Sequence, residues 1–172
     1  KRRVMKTIVM MLVLCQTLVA QTSGKDSARV YTARALSQLS LKKYDQAIEN
    51  YIQALTFDPA GKGLNRAVGD IYYNYKNDVT SAKNYFEKEL EINPNDADSW
   101  LQLGYCYYVN KDFDLAANHA KKALAIWKYP NTANPSASSA LNLIGNVSMA
   151  AKDTAGAKQT FLQAVKVNKQ EI

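Results

Sequence analysis

The fold is decided by residues 100–124, which read WLQLGYCYYVNKDFDLAANHAKKAL. In the first half of this stretch Trp100, Leu103 and Tyr107 recur at i, i+3 and i+7, the spacing that puts side chains on one face of an α-helix. The second half, from Ala116 onward, repeats small apolar residues at helical spacing. The stretch therefore predicts two amphipathic helices joined by a short turn.

The pattern of the second helix returns along the chain with a period of about 34 residues. The matching positions are Ala47, Tyr51, Ala54, Leu55 and Pro59; Ala82, Phe86, Glu89, Leu90 and Pro94; Ala116, Ala120, Ala123 and Leu124; and Ala157, Phe161, Ala164 and Val165. Such a period indicates stacked units, because each unit alone leaves a hydrophobic face that only a neighbour can bury. Extended surfaces, more than a catalytic cleft, are the functional feature of such a stack.

The unit that begins at Trp100 resembles the tetratricopeptide repeat, a helix–turn–helix with the pattern W-x2-L-G-x2-Y followed by small residues. Gly104 and Ala116 fall where its two helices approach most closely, so side-chain bulk is excluded there. The resemblance implies an all-α, right-handed solenoid of four repeats and about eight helices. The predicted repeats span 28–61, 62–96, 97–130 and 138–171, within a domain of 21–172 that includes an inserted loop at 131–137.

Repeat two departs from the period by one residue. Ala47 and Ala82 occupy the same position in repeats one and two and lie 35 residues apart. We assign the extra residue to the turn between the two helices, at Asn77–Ser81.

The first twenty residues predict a secretory signal peptide. Four cations, at positions 1, 2, 3 and 6, precede an apolar run over 8–20 that ends in the small residue Ala20. The run is shorter than the roughly 20 apolar residues that span a bilayer. We therefore expect residues 1–20 to be removed by cleavage after Ala20. The resulting chain would begin at Gln21, have no transmembrane span, and be periplasmic or associated with the outer membrane.

Other interpretations of this segment are weaker. An uncleaved amphipathic helix is disfavoured because residues 8–15 have no polar face. Lipidation of Cys15 would require a small residue where Leu14 stands. The residues after Arg2 and Arg3 match a twin-arginine signal poorly, and a start at Met5 would remove that pair.

The charge of the chain argues against nucleic-acid binding. The net charge is +7, and without the four cations of the signal segment 18 Lys and Arg residues remain against 15 Asp and Glu, a net charge of +3. That small excess is distributed over helix faces and lacks the basic stripe of a DNA- or RNA-binding protein.

No catalytic motif, metal site or cofactor site is present in the sequence pattern. Near the single histidine, His119, the sequence shows no residue that would orient its ring as catalysis or metal binding requires. A dyad with Cys106 is disfavoured because their repeat positions face different directions. Cys106 is expected to be a small buried hydrophobe. Glu87, Glu89 and Glu91 have the spacing of a solvated helix surface. We therefore predict a protein that is not an enzyme.

The resemblance also implies where a ligand binds, because the first helix of each tetratricopeptide repeat lines a concave groove. The corresponding residues are Arg66, Asp70, Tyr73, Asn74, Leu101, Tyr105, Tyr108, Asn142 and Asn146. Tyrosines supply contact area at low entropy cost, and Asn can pair with a peptide backbone. The Lys, Asn and Arg residues with which chaperone adaptors of the family hold a carboxylate are absent: Thr32, Leu36, Ala67, Asp98 and Gln102 stand in their places.

The sequence therefore predicts a scaffold or adaptor that binds a protein or an extended peptide. The alternatives are a fixed structural subunit of an envelope or outer-membrane secretion assembly, and the accessory domain of an enzyme. A second predicted surface is a C-terminal partner patch of Leu162, Val165 and Val167, through which the protein would form a homodimer end to end or dock another protein.

Overall fold

The computed structural model describes residues 24–130, 134 and 136–169, and this part of the chain consists of helices joined by turns. Helix α1 includes residues 24–40, and the predicted signal segment at 1–20 lies outside the described residues. The further helices are α2 (Tyr44–Phe57), α3 (Leu64–Ile71, continued by a π-helical turn at Tyr72–Lys76), α4 (Val79–Ile92), α5 (Ala97–Val109), α6 (Phe113–Ile126), α7 (Ser136–Ala150) and α8 (Thr154–Lys169). The predicted all-α fold of helix–turn–helix repeats is confirmed.

The chain divides into two compact units, the first ending at Leu64 and the second beginning at Asn65. In the first unit α1 and α2 form one hairpin. Ala35 and Tyr51 are buried in it, and the rings of Tyr31 and Phe57 stack at 5.5 Å.

The second unit contains repeats two to four. Its helices pack in chain order, with α4 on α5 and α6 on α7, and each of the later two repeats closes its own hairpin. In its core, Phe86, Leu90, Leu103 and Cys106 join repeats two and three, and Ala120, Ala123, Ala140 and Leu143 join repeats three and four. A further cluster within repeat four consists of Ala137, Leu141, Ala164 and Val167.

The small residues lie at close approaches between helices, as predicted. A Cβ atom at Gly104 would lie 3.1 Å from the carbonyl oxygen of Ala116 and 2.9 Å from Cδ2 of Leu143. A Cβ at Gly145 would lie 2.5 Å from the ring of Phe161. A side chain at either glycine would force the two helices of the repeat apart, since well-packed cores do not absorb added volume.

The extra residue of repeat two does not lie in the turn, so the prediction of a longer turn at Asn77–Ser81 is wrong. Asn77 has a left-handed backbone (φ 52°) and precedes Ala82 by five positions. Lys111 has the same conformation in repeat three (φ 66°) and precedes Ala116 by the same five positions. The two turns are therefore equally long.

The additional residue lies instead in the π-helical turn Tyr72–Lys76 at the end of α3. The N–H of Asp78 donates to the carbonyl oxygen of Tyr72 (3.0 Å), and the equivalent bond in repeat three runs from Asp112 to Tyr107 (2.9 Å). The first bond encloses one residue more than the second. A π-turn accommodates such an insertion without breaking the helix.

Two further expectations need correction. Helix α7 begins at Ser136, two residues inside the loop predicted at 131–137. Glu89 was expected on a solvated face but is fully buried, with Oε2 3.4 Å from the backbone N–H of Arg66. It occupies the position that alanine holds in the other repeats, and in this repeat the carboxylate reaches the first turn of α3.

Candidate functional site

The residues predicted to line a groove come from α3, α5 and α7, the first helices of repeats two, three and four. Contacts join these helices in the second unit: Arg66 of α3 pairs with carboxylates at the start of α5, and the hydroxyl of Tyr105 in α5 donates to the carbonyl oxygen of Ser139 in α7 (3.1 Å). The three helices therefore place their predicted residues on neighbouring elements. We call this set of residues the A-helix face.

A charged cluster occupies the part of the A-helix face formed by α3 and α5. Nε of Arg66 lies 3.1 Å from Oδ2 of Asp96, and its Nη1 lies 3.6 Å from Oδ2 of Asp98. The Nε–H is not directed at an acceptor, so the close approach to Asp96 is an ion pair without a well-aligned hydrogen bond. With Asp70 included, the cluster holds three carboxylates and one guanidinium.

Asp70 is the most perturbed acid of this cluster. Burial raises its pKa from 3.8 to about 6, the Arg66 charge opposes that rise, and Asp98 and Asp96 add to it. Its Oδ1 is buried and has no hydrogen-bond partner in the structure. A buried carboxylate oxygen without a donor is costly, which disfavours the charged form of Asp70 in the folded protein.

The three predicted groove tyrosines are partly buried. Burial raises the pKa of Tyr73 and of Tyr105. The ring of Tyr108 packs at 5.6 Å against Phe113 at the start of α6. Each tyrosine is thus held in place on one side and exposed in part on the other.

Asn74, Asn142 and Asn146 are exposed. Nδ2 of Asn74 donates to the carbonyl oxygen of Asp70, one turn earlier in the same helix (3.0 Å). Asn142 and Asn146 follow each other by one turn along α7.

Leu101 does not belong to this surface. Only 6% of it is exposed, and it packs in the cluster formed by Ala97, Ala120, Ala140 and Leu143. It is a core residue that joins α5 to α6 and α7, because its position along α5 turns toward the following repeat.

The C-terminal patch also differs from its prediction. Leu162 and Val165 are 54% and 47% exposed, but Val167 is 7% exposed and packs against Leu141 and Ala164. Residues two apart in a helix point in different directions, so Val165 and Val167 cannot share one face. Val167 is therefore part of the core.

Leu162 and Val165 line an open apolar hollow of about 330 Å³. It is lined by Met149, Thr154, Lys158, Phe161, Leu162 and Val165. We call this the α7–α8 hollow. Phe161 was visible in the sequence as a repeat anchor, but its second role at the surface was not, since periodicity does not reveal which side of a ring stays exposed.

Comparison with known proteins places the chain in a family. The sequence pattern of the tetratricopeptide repeat matches residues 28–60, 67–96 and 138–171, and a second pattern of the same repeat matches 85–118. Together the matches cover more than half of the chain. The chain belongs to the tetratricopeptide repeat family.

Among curated proteins, this tetratricopeptide repeat chain is similar to the Hsp70-Hsp90 organising protein of Plasmodium falciparum (isolate 3D7). The two are 33% identical over 97 residues, which make up 56% of this chain and 16% of the organising protein. The chain thus spans only a small part of the length of that relative.

Solved structures of low sequence identity share the fold. The crystal structure of MamA has a TM-score of 0.73 at 15% identity, covering 90% of this chain and 85% of MamA. PilF of Pseudomonas aeruginosa has a TM-score of 0.72 at 21% identity, covering 86% and 64%. The first tetratricopeptide domain of Spaghetti (RPAP3), bound to the HSP90 peptide SRMEEVD, has a TM-score of 0.65 at 19% identity, covering 74% and 95%.

The thiol of Cys106 and the imidazole of His119 are packed against other side chains of this tetratricopeptide repeat protein. Cys106 is fully buried, and burial raises the pKa of its thiol to about 12, so the nucleophilic thiolate is absent at neutral pH. The ring of His119 packs at 5.3 Å from Trp100 and 4.9 Å from Tyr107, with Nδ1 2.7 Å from the carbonyl oxygen of Leu115. Within the described ranges, no group of three or more His, Cys, Asp or Glu residues is arranged to hold a metal ion.

Among the helices that the structure describes, none is long and apolar enough to cross a bilayer.

Asp96 is a member of the charged cluster that the sequence did not predict. It precedes α5 as its N-cap residue and lies outside the repeat positions that line the groove. An Asp one position before a helix was its only signal, and that signal indicates capping more than ion pairing.

Proposed function

We propose that this tetratricopeptide repeat protein is a scaffold or adaptor that binds an extended segment of a partner protein on its A-helix face. The observation that carries the proposal is the cluster of Arg66, Asp70, Asp96 and Asp98 next to partly exposed tyrosines on neighbouring helices. The family favours it, since the Spaghetti domain of the same fold has an HSP90 peptide bound.

The tyrosines would supply the contact area. Tyr73, Tyr105 and Tyr108 are already packed on one side, so a ligand that covers their exposed parts immobilises little additional side-chain freedom. Asn142 and Asn146 each offer an amide to the backbone of an extended ligand, which otherwise loses hydrogen bonds to water.

The charge of the cluster indicates which segments bind. Three carboxylates against one guanidinium leave an excess of negative charge. A Lys or Arg side chain of the partner that pairs with the exposed carboxylate of Asp98 would offset that excess. We therefore expect a basic segment, in contrast to the acidic HSP90 peptide of the Spaghetti structure.

The test is fluorescence anisotropy with a series of labelled peptides of one length, in which Lys and Arg replace Glu and Asp of SRMEEVD step by step. Tyr73→Ala and Tyr108→Ala are each expected to weaken binding of the basic peptides by about thirtyfold, since truncation of a buried aromatic anchor costs about 2 kcal/mol. The matched control is Tyr85→Ala, because Tyr85 is also partly buried but lies on α4 and stacks on Tyr72.

Three outcomes separate the claims. No binding by any peptide contradicts the adaptor function. Binding of the acidic peptides in preference to the basic ones contradicts the charge selection and leaves the adaptor function standing. Equal losses for Tyr85→Ala and for the A-helix variants contradict the location of the site.

The location of the protein is part of the proposal. We infer from the cationic start and the apolar run of residues 1–20 that the chain is exported to the cell envelope. A fixed subunit of an envelope assembly is the second candidate function, and the exposed α7–α8 hollow is the observation that favours it. Crosslinking in the native envelope distinguishes the two, since a subunit yields a few stoichiometric partners and an adaptor yields many.

A further inference from the structure

The α7–α8 hollow occupies a position that a helix covers in the preceding repeats. Val165 of α8 is equivalent in the repeat to Leu90 of α4 and Leu124 of α6. Leu90 is buried where α4 packs on α5, and Leu124 is partly buried where α6 packs on α7. Val165 remains 47% exposed. The equivalent side chain is thus covered by a helix in repeats two and three and is exposed to solvent in repeat four.

The exposed residues have the shape that helix packing requires. Leu162 and Val165 lie three positions apart on α8, and Met149, half exposed at the end of α7, completes the apolar lining with Phe161. Apolar residues at this spacing form a ridge, and a second helix packs its own residues beside such a ridge. A small flat ligand would leave most of the ridge exposed.

Lysines border the ridge at both ends. Lys158 precedes Leu162 by four positions and Lys166 follows it by four, so both lie on the same side of α8, separated along the helix axis by about 12 Å. The described residues of α7, α8 and their turn contain a single carboxylate, Asp153, whose Oδ1 accepts the backbone N–H of Gly156 (2.9 Å). The border of the hollow is therefore basic.

We propose that the α7–α8 hollow docks an amphipathic helix of another polypeptide whose apolar stripe is flanked by acidic residues. The apolar stripe would cover Met149, Leu162 and Val165, and the acidic flanks would lie beside Lys158 and Lys166. A second copy of this chain does not fit as the occupant, because a two-fold interface places the same patch against itself and brings like charges together. This surface is separate from the A-helix face, so the inference does not depend on the adaptor function.

Two synthetic helical peptides test the inference. Both carry the same stripe of leucines, and the stripe is flanked by glutamates in one and by lysines in the other. Fluorescence anisotropy with the complete protein is expected to show at least tenfold tighter binding of the glutamate-flanked peptide. Lys158→Glu should remove that preference, Leu162→Glu should abolish binding of both peptides, and the control Lys121→Glu, an exposed lysine of α6, should change neither.

Each alternative has its own result. Equal affinity for the two peptides, or no binding of either by a protein with native helicity, overturns the proposal. Light scattering of the protein alone tests whether a second copy of the chain occupies the hollow. A homodimer that Leu162→Glu converts to a monomer would identify a second copy as the occupant and would likewise overturn it. A preference that survives Lys158→Glu would locate the acidic helix elsewhere on the protein.

Discussion

Asp70 makes the stability of this protein depend on pH in the direction opposite to that of a salt-bridged acid. Its pKa is raised by burial from 3.8 to about 6 in the folded state. Between these values the folded protein holds a proton that the unfolded chain has lost, so the free energy of unfolding falls as the pH rises from about 4 to 6. Above pH 6 the full cost of the buried charge remains.

Replacing Asp70 by Asn is therefore expected to stabilise the protein at pH 7 and to have little effect near pH 4. The difference between the two pH values should be about 2 kcal/mol in the free energy of unfolding. Urea denaturation of both proteins at several pH values measures it, with Asp114→Asn, at an exposed position of α6, as the control. A constant difference between wild type and Asp70→Asn across this range would show that Asp70 titrates normally.

At the scale of a secondary-structure element, the π-helical turn at Tyr72–Lys76 is expected to tolerate removal of one residue. Deleting Tyr75 would return α3 to α-helical geometry and leave the turn at Asn77 unchanged, so the fold should persist with a stability within about 1 kcal/mol of wild type. The matched control is deletion of Val109, the equivalent and similarly half-exposed residue of α5. Repeat three has no extra residue, so this deletion should break the turn at Lys111 and lower the melting temperature strongly.

Circular dichroism and thermal denaturation of both deletion variants decide the matter. Equal destabilisation by the two deletions would mean that the π-turn is a required part of the repeat and not an absorbed insertion. Peptide binding by the Tyr75 deletion adds a functional reading, because Tyr73 and Asn74 lie inside the same turn. Loss of binding with retained stability would show that the wide turn orients these residues on the A-helix face.

The elements that the sequence predicted well are those set by local geometry. Gly104 and Ala116 mark a close helix contact because a Cβ atom at Gly104 would lie 3.1 Å from the carbonyl oxygen of Ala116. The extra residue of repeat two was placed wrongly because the 35-residue spacing from Ala47 to Ala82 shows only that one residue is inserted somewhere between them. The hydrogen bond from Asp78 to Tyr72, and not the spacing, locates the insertion in the helix.

At the scale of the whole molecule, the sequence did not reveal which helix packs over a given side chain and buries it. Glu89 looked like a surface residue by helical spacing, yet α3 of its own repeat buries it. Leu101 looked like a groove residue, yet the following repeat covers it. Val167 looked like part of an exposed patch, yet it packs against α7. Each error concerns a tertiary neighbour of the residue, and a repeat pattern indicates such neighbours only on average.

The last prediction concerns the first twenty residues. Lys1, Arg2, Arg3 and Lys6 would hold the start of the chain on the cytoplasmic side, while the apolar run that ends at Ala20 is too short to remain as a membrane span. Export of the complete chain should therefore yield a protein that begins at Gln21, with its net charge lowered from +7 to +3. Expression in a Gram-negative host, fractionation of the periplasm and intact-mass measurement test this. A replacement of two cations by Glu at the start is the control and should keep the chain inside the cell. A periplasmic mass that still includes residues 1–20 would refute the cleavage. A mass that includes acyl chains on Cys15 would show that the protein is anchored to the membrane by lipid.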